Sequence, residues 1–265
     1  MRAATDPECM QILTPEWPAL AAVHAAFTLR SGGVSASPFD SLNVGAHVGD
    51  EAAAVVENRR RVRARLSLPE EPAWLEQVHG VEVVDLDAAA PAVGVTRPAP
   101  AAVALPAADA VVSRRAGRVC VVQVADCLPV LLAARDGCAV AAAHAGWRGL
   151  AAGVLEATVK RLAVEPRDLL AWLGPAIGAA HFEVGAEVRQ AFLAQDAAAA
   201  DAFAVNTRGR WQCDLAGLAR RRLDGLGIGA VFGGRWCTYG DASRFFSYRR
   251  DGRCGRMAAL IWREE

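Results

Sequence analysis

Apolar and polar positions along the chain switch repeatedly between short apolar runs of strand length and stretches with helical spacing. Residues 81–86, 119–124, 130–134 and 138–143 read as strands. Leu150, Val154, Leu155, Val159 and Leu162 recur at helical spacing and predict a helix over 150–163. Two further helices are predicted over 186–193 and 51–66, the latter Arg-rich on its outer face. Residues 88–108 hold Pro91, Pro98, Pro100 and Pro106 among alanines and read as a long loop. The strands on either side look like parts of one sheet system, so this loop is not a linker, and 1–265 reads as one domain. The Ala-rich stretch 196–201 shows no evident role.

Asp136-Gly137 between two apolar runs predicts a hairpin, because a two-residue type I′ turn needs positive φ at both central positions. Such a loop sets Arg135 opposite Cys138 and, counting outward, Pro129 opposite His144. Cys127 then shares a face with His144, on a diagonal about 7–8 Å long. A thiolate and an imidazole at that distance can converge on one ion, whereas a one-residue slip would send them to opposite faces. Pro129 cannot donate to a ladder, so this end of the hairpin is an edge, a bulge or a strand start. In Gln77-Val78-His79-Gly80, ahead of the strand at 81–86, His79 offers a third ligand. His, Cys and His leave the fourth tetrahedral position open, as a catalytic zinc site does. The structural alternative is an inert buried Cys and a His in a turn. After His144, Gly146-Trp147-Arg148-Gly149 opens a helix, an arrangement that suits an anion such as phosphate unless Arg148 is merely solvated. His24 and His181 are read as structural.

Composition narrows the function classes. Lys plus Arg and Asp plus Glu both number 29, so net charge gives no general attraction to nucleic acid or anionic lipid. The cysteines number 7, an odd count with no C-x-x-C pair, which predicts reduced thiols rather than a disulfide framework. Asp6, Glu8 and Glu16 interrupt the first 18 residues, so no secretory signal is expected there. Gln123, Asp126, Pro129, Arg135 and Asp136 break the most apolar stretch, 119–143, which therefore does not span a bilayer. A cytoplasmic location is the resulting expectation.

SPFDSLNVGAHVGD (37–50), ENRRR (57–61), LEQVHG (75–80), ADA around Asp109, VADCLPVLL, AAAHAGWRGLAAGV, LGPAIGAAHFEVG (173–185) and FFSYRRDGRCGRMAALIW (245–262) occur in order along nearly the whole chain. Together they closely resemble the laccase-domain, or YfiH-like, family. The resemblance implies a single α+β domain, a β-sandwich of mixed sheets flanked by helices and distantly similar to toxin deamidases. It also implies zinc on His79, Cys127 and His144. Members are described as enzymes of purine nucleosides, combining phosphorolysis of adenosine, inosine, guanosine and methylthioadenosine with hydrolytic deamination of adenosine. They were earlier described as polyphenol oxidases or laccases, and some bacterial members are linked to editing of peptidoglycan precursors. Phe182 departs from the Tyr common in the family, so no phenol hydroxyl there is essential.

Deamination needs an activated water and a proton-transfer group, for which Asp126 and Glu183 are the motif carboxylates; Asp126 could instead orient a ligand His. Phosphorolysis needs phosphate beside the ribose, and Arg148, Arg59 and Arg249 are the motif arginines that could hold it. Ser41 or Asn43 could bind sugar or base. Each has a structural alternative: Arg59 solvated on its helix, Arg249 paired with Asp251, Asn43 capping a turn. Cys127 could also be a thiolate nucleophile activated by His144 in a metal-free hydrolase. A multicopper oxidase would need several His-x-His pairs, and the chain has 5 His and no such pair. One His/Cys/His site could still take copper in vitro. The expected partners are a nucleoside and phosphate, with neither nucleic acid nor membrane; the oligomeric state is left open.

Overall fold

The apolar runs become strands because each is covered on both faces. The computed structural model describes residues 10–88 and 105–265, so most of the loop expected over 88–108 lies outside the described residues. In chain order come β1 (Ile12–Leu13), β2 (Val23–Thr28), α1 (Ala52–Arg65), β3 (Val83–Asp85), β4 (Ala110–Ser113), β5 (Val119–Val124), β6 (Leu128–Ala134) and β7 (Val140–Ala145). Then follow α2 (Trp147–Ala152), α3 (Val154–Leu162), β8 (Leu169–Leu173), β9 (Glu183–Val184), α4 (Ala186–Leu193), β10 (Phe203–Val205) and β11 (Trp211–Cys213). The chain closes with α5 (Leu215–Gly225), β12 (Val231–Gly233), α6 (Tyr248–Asp251) and β13 (Met257–Arg263).

A four-stranded antiparallel sheet, β1-β2-β13-β5, faces a six-stranded mixed sheet, β12-β8-β6-β7-β4-β3. Strand alternation sorts the side chains into layers. Leu131, Ala133, Val140 and Ala142 meet Phe27, Val122, Ala259 and Ile261 between the sheets. Leu128, Val130, Leu132, Ala141 and Ala143 point the other way, onto Leu150, Leu155 and Leu162 of α2 and α3. Beyond the four-stranded sheet, Val121, Leu260 and Trp262 pack with Val62 of α1. The result is a single α+β domain in which helices cover both outer faces of a sandwich. Among the described residues no helix is long and apolar enough to cross a membrane.

The hairpin register is as counted, with Pro129 opposite His144 and Ala133 opposite Val140. The turn itself differs: Gly137 has positive φ (74°) but Asp136 does not, and Ala134 O accepts the Gly137 N–H at 2.9 Å. It is therefore not type I′. Pro129 is the second residue of β6, which lies between β7 and β8, so the proline marks a strand start. The helix expected over 150–163 begins earlier, at Trp147, and is broken at Gly153, whose left-handed φ of 101° ends α2 and opens α3. The Ala-rich stretch forms a 3-10 turn, Ala197–Ala202, capped by Asp196, which also pairs with Arg221 at 2.6 Å.

Candidate metal centre

Asp109 organises one end of the six-stranded sheet. Just ahead of β4, it is wholly buried, and a buried carboxylate must find donors. Its Oδ1 meets His144 Nδ1 at 2.8 Å. The same carboxylate accepts the backbone N–H groups of Val78 (3.2 Å), His79 (2.9 Å) and Gly80 (2.6 Å). Three successive N–H groups closing on one anion hold His79 in the left-handed region, at φ 61°. Gln77 ties the same loop to β5, donating to Gln123 O and accepting the Gln123 N–H.

Cys127 enters from the opposite side. Asp126, at φ 92°, turns the chain just before β6 and presents the thiol to His79, with Sγ 3.7 Å from Nε2. The ligand atoms of His79, Cys127 and His144 all lie within 4.8 Å of one another, and the two imidazoles meet edge to face. His144 is buried, Cys127 half-buried and His79 exposed, so the group opens to solvent on the His79 side. The set fits a metal ion: the Asp109 bond to Nδ1 leaves His144 Nε2 for the ion and fixes the ring, as a carboxylate behind a metal-binding histidine does.

The electrostatics agree. Burial pushes the Cys127 thiol up, but the charge of His144 and hydrogen bonds from His144 and His79 outweigh it, and the net shift is downward. For His144 burial works downward, and Cys127 and Asp109 overcome it to raise the imidazole. Burial likewise raises Asp109, and His144 with the Gly80 and His79 N–H groups pulls it below the usual carboxylate value. Nearby His47 is held low by desolvation, then by Arg256, Arg59 and the two ligand imidazoles.

Gly146, the N-cap of α2, lies against this group: a Cβ there would come within 3.0 Å of both Cys127 Sγ and His79 Cδ2. Gly146→Ala is therefore expected to spread the ligands and weaken metal retention by about tenfold or more, the size of effect seen when groups supporting metal ligands are disturbed. Competition against a chelator of known affinity measures this. Retention equal to the unaltered protein would mean the ligands move without cost.

The other expected site residues fall into two sets. Arg148 is exposed on the first turn of α2, its guanidinium 4.5 Å from the Trp147 ring. Arg249 is also exposed; it donates to Glu183 O (2.9 Å), lies 5.4 Å from the Phe182 ring and gives its backbone N–H to Asp126 (2.7 Å). Asp251 pairs instead with Arg250. Arg59 donates to Val44 O and stacks 3.9 Å over Trp74, where burial brings it down to about 10.

The remaining expected residues are engaged inside the protein. Asp126 accepts from Thr238 Oγ1 (2.5 Å) and Ser247 Oγ (3.0 Å) as well as from Arg249, and the carboxylate that meets a ligand His is Asp109. Glu183 accepts from Asn206 (2.7 Å) and Arg208, with Arg210 at 3.9 Å. Asn43 is buried; its Oδ1 accepts the N–H groups of Gly45 and Arg256, and its Nδ2 donates to Gly45 O and Asp50. Ser41 Oγ accepts from Gly32 and Gly33. Asn58, inside ENRRR, donates to Ser35 Oγ, Ser41 O and Asn43 O. The 37–50 motif thus braces a loop on α1. Asp109, Gln77, Thr238 and Ser247 had no role assigned from sequence; the one available signal was an acidic residue in an otherwise apolar run at Asp109.

Fold and site together define the class. The chain belongs to the family described as multi-copper polyphenol oxidoreductase laccase, whose sequence model matches residues 24–264. Its relatives share a different name. It is 54% identical over 254 residues to a Pseudomonas aeruginosa protein named purine nucleoside phosphorylase, covering 96% of this chain and 98% of that one. It is 50% identical over 252 residues to purine nucleoside phosphorylase YfiH of Escherichia coli, covering 95% and 98%. The crystal structure of the Neisseria meningitidis protein NMB0706 superposes with a TM-score of 0.86 at 45% identity, covering 96% and 99%.

Proposed function

We propose that this chain is a zinc-dependent enzyme of purine nucleosides, phosphorolysing adenosine, inosine, guanosine and methylthioadenosine and hydrolytically deaminating adenosine. The observation that carries the reading is the His79/Cys127/His144 group backed by Asp109, in a chain so similar to proteins named purine nucleoside phosphorylase. Zinc held by these three side chains would supply a Lewis acid with one position open, which both reactions can use. Copper could enter the same ligands in vitro, as its affinity order allows. One three-ligand group is a poor basis for electron relay among several coppers.

The protein's own residues supply the rest. Asp109 fixes the His144 ring and the His79 loop. Asp126 has its carboxylate engaged by Thr238, Ser247 and the Arg249 N–H, and so acts as a positioning residue that anchors α6 beside Cys127. Glu183 keeps Oε1 with only the long Arg210 contact and is the carboxylate we assign to proton transfer. Arg148, exposed two residues from Gly146, holds phosphate, with Arg249 and Arg59 as further cations. Ser41 retains its hydroxyl proton for a sugar or base oxygen, whereas Asn43 shapes the loop.

The test is metal analysis of protein purified without a nickel column, followed by a nucleoside screen with and without phosphate. Zinc near one equivalent and phosphate-dependent release of free base support the reading; turnover that survives complete metal removal overturns it and favours a Cys127/His144 hydrolase. Within the reading, Arg148→Ala should lower phosphorolysis roughly 10- to 100-fold and deamination much less. An equal loss of both would remove Arg148 from phosphate binding.

A further inference from the structure

A second thiol and imidazole, distinct from the His79/Cys127/His144 group, meet where the chain after β12 crosses the loop between β8 and β9. Cys237 Sγ lies 3.4 Å from His181 Nδ1. It also accepts the backbone N–H groups of Gly178 (3.2 Å) and Gly240 (3.3 Å). His181 is exposed and stacks on Tyr239 at 4.5 Å, which fixes its ring plane. The half-buried sulfur borders a cavity of about 160 Å³, also lined by Leu128, Ile177, Asp214 and Trp236. Among the described residues, the thiols outside the metal centre have no such imidazole beside them. Cys120, Cys213 and Cys254 are buried, and Cys138 is exposed on the hairpin turn, where desolvation and Asp136 push its thiol up.

We propose that Cys237 is a reactive thiol site for small peroxides, with His181 as its proton acceptor and the Gly178 and Gly240 N–H groups as its charge-holding donors. Nucleophilic thiols use this combination of an adjacent base and donors around the sulfur. The cavity admits a small reagent: its volume lies below the roughly 300 Å³ at which pockets for drug-sized ligands begin. In the reaction the thiol proton passes to His181, and the sulfur attacks one peroxide oxygen. An S–O bond forms as the O–O bond breaks, and the leaving oxygen takes the proton from His181. The sulfur is oxidised by two electrons to a sulfenic acid, and hydrogen peroxide is reduced to water. This chemistry is independent of the nucleoside reading.

The experiment uses zinc-loaded protein treated with hydrogen peroxide in the presence of dimedone, followed by peptide mapping. Cys237 should carry the adduct at least about tenfold above Cys138, and His181→Asn should cut it roughly tenfold while leaving Cys138 unchanged. Labelling of Cys237 no greater than that of Cys138 overturns the proposal, as does labelling indifferent to His181→Asn. Should that variant fail to fold, the ratio of the two cysteines in the unaltered protein decides the question alone.

Discussion

Replacing Cys127 by Ala is expected to give a folded protein that neither retains zinc nor turns over purine nucleosides. The thiol is half-buried and packs only against the margin of the core between the sheets, so its truncation removes little apolar contact. What disappears is one of three ligands within 4.8 Å of one another. Two imidazoles bind zinc far more weakly than two imidazoles and a thiolate, so stoichiometric retention should fail in chelator competition. Turnover should fall by roughly 10³-fold or more, the scale on which central catalytic groups are lost. The same change withdraws the negative partner that raises His144, so that imidazole should titrate lower in the variant. Stoichiometric zinc in folded Cys127→Ala protein would refute the ligand assignment.

Asp109→Ala should have the largest effect on stability. One wholly buried carboxylate serves His144 and the N–H groups of Val78, His79 and Gly80, and all four lose their partner together. Removing one side of a buried, charge-assisted network costs about 3–5 kcal/mol, a large share of the stability of an ordinary domain. Chemical denaturation of metal-free protein measures it; a loss under about 1 kcal/mol would show that water replaces the carboxylate readily. Asp109→Asn should lie between, since an amide keeps one acceptor oxygen. The sign with pH follows from the lowered carboxylate. Its stabilisation is complete above the unfolded value of about 4 and is lost as pH falls through the still lower folded value. Acid unfolding of the unaltered protein should therefore be steep in that window, and Asp109→Asn should flatten it.

Much of the centre could be read from the chain because local rules fixed it. Residues 136–137 set the turn, the turn set the register, and the register aligned His144 with Pro129 near Cys127. Asp109 stands out in sequence only as an acidic residue in an apolar run; its role is not legible there, because its backbone partners come from a loop about thirty residues away and such separation carries no local pattern. Strands β2, β8 and β13 were not read for a related reason. β8 and β13 are buried on both faces and β2 mostly so, and an apolar run without alternation can be strand or helix. Asn43 shows how a motif residue leaves two readings open: sugar or base ligand, or turn cap; its side chain here satisfies the backbone of Gly45 and Arg256.

His79 and Cys127 are 48 residues apart in sequence and meet in the folded chain with Sγ 3.7 Å from Nε2. A denatured chain would bear a large loop-closure cost to bring them together, so an ion held as proposed would discriminate between native and denatured populations and shift their balance by mass action. On that proposal, zinc supply would help determine how long the protein survives heat or proteolysis, and a cell short of the metal would hold less of it at the same rate of synthesis.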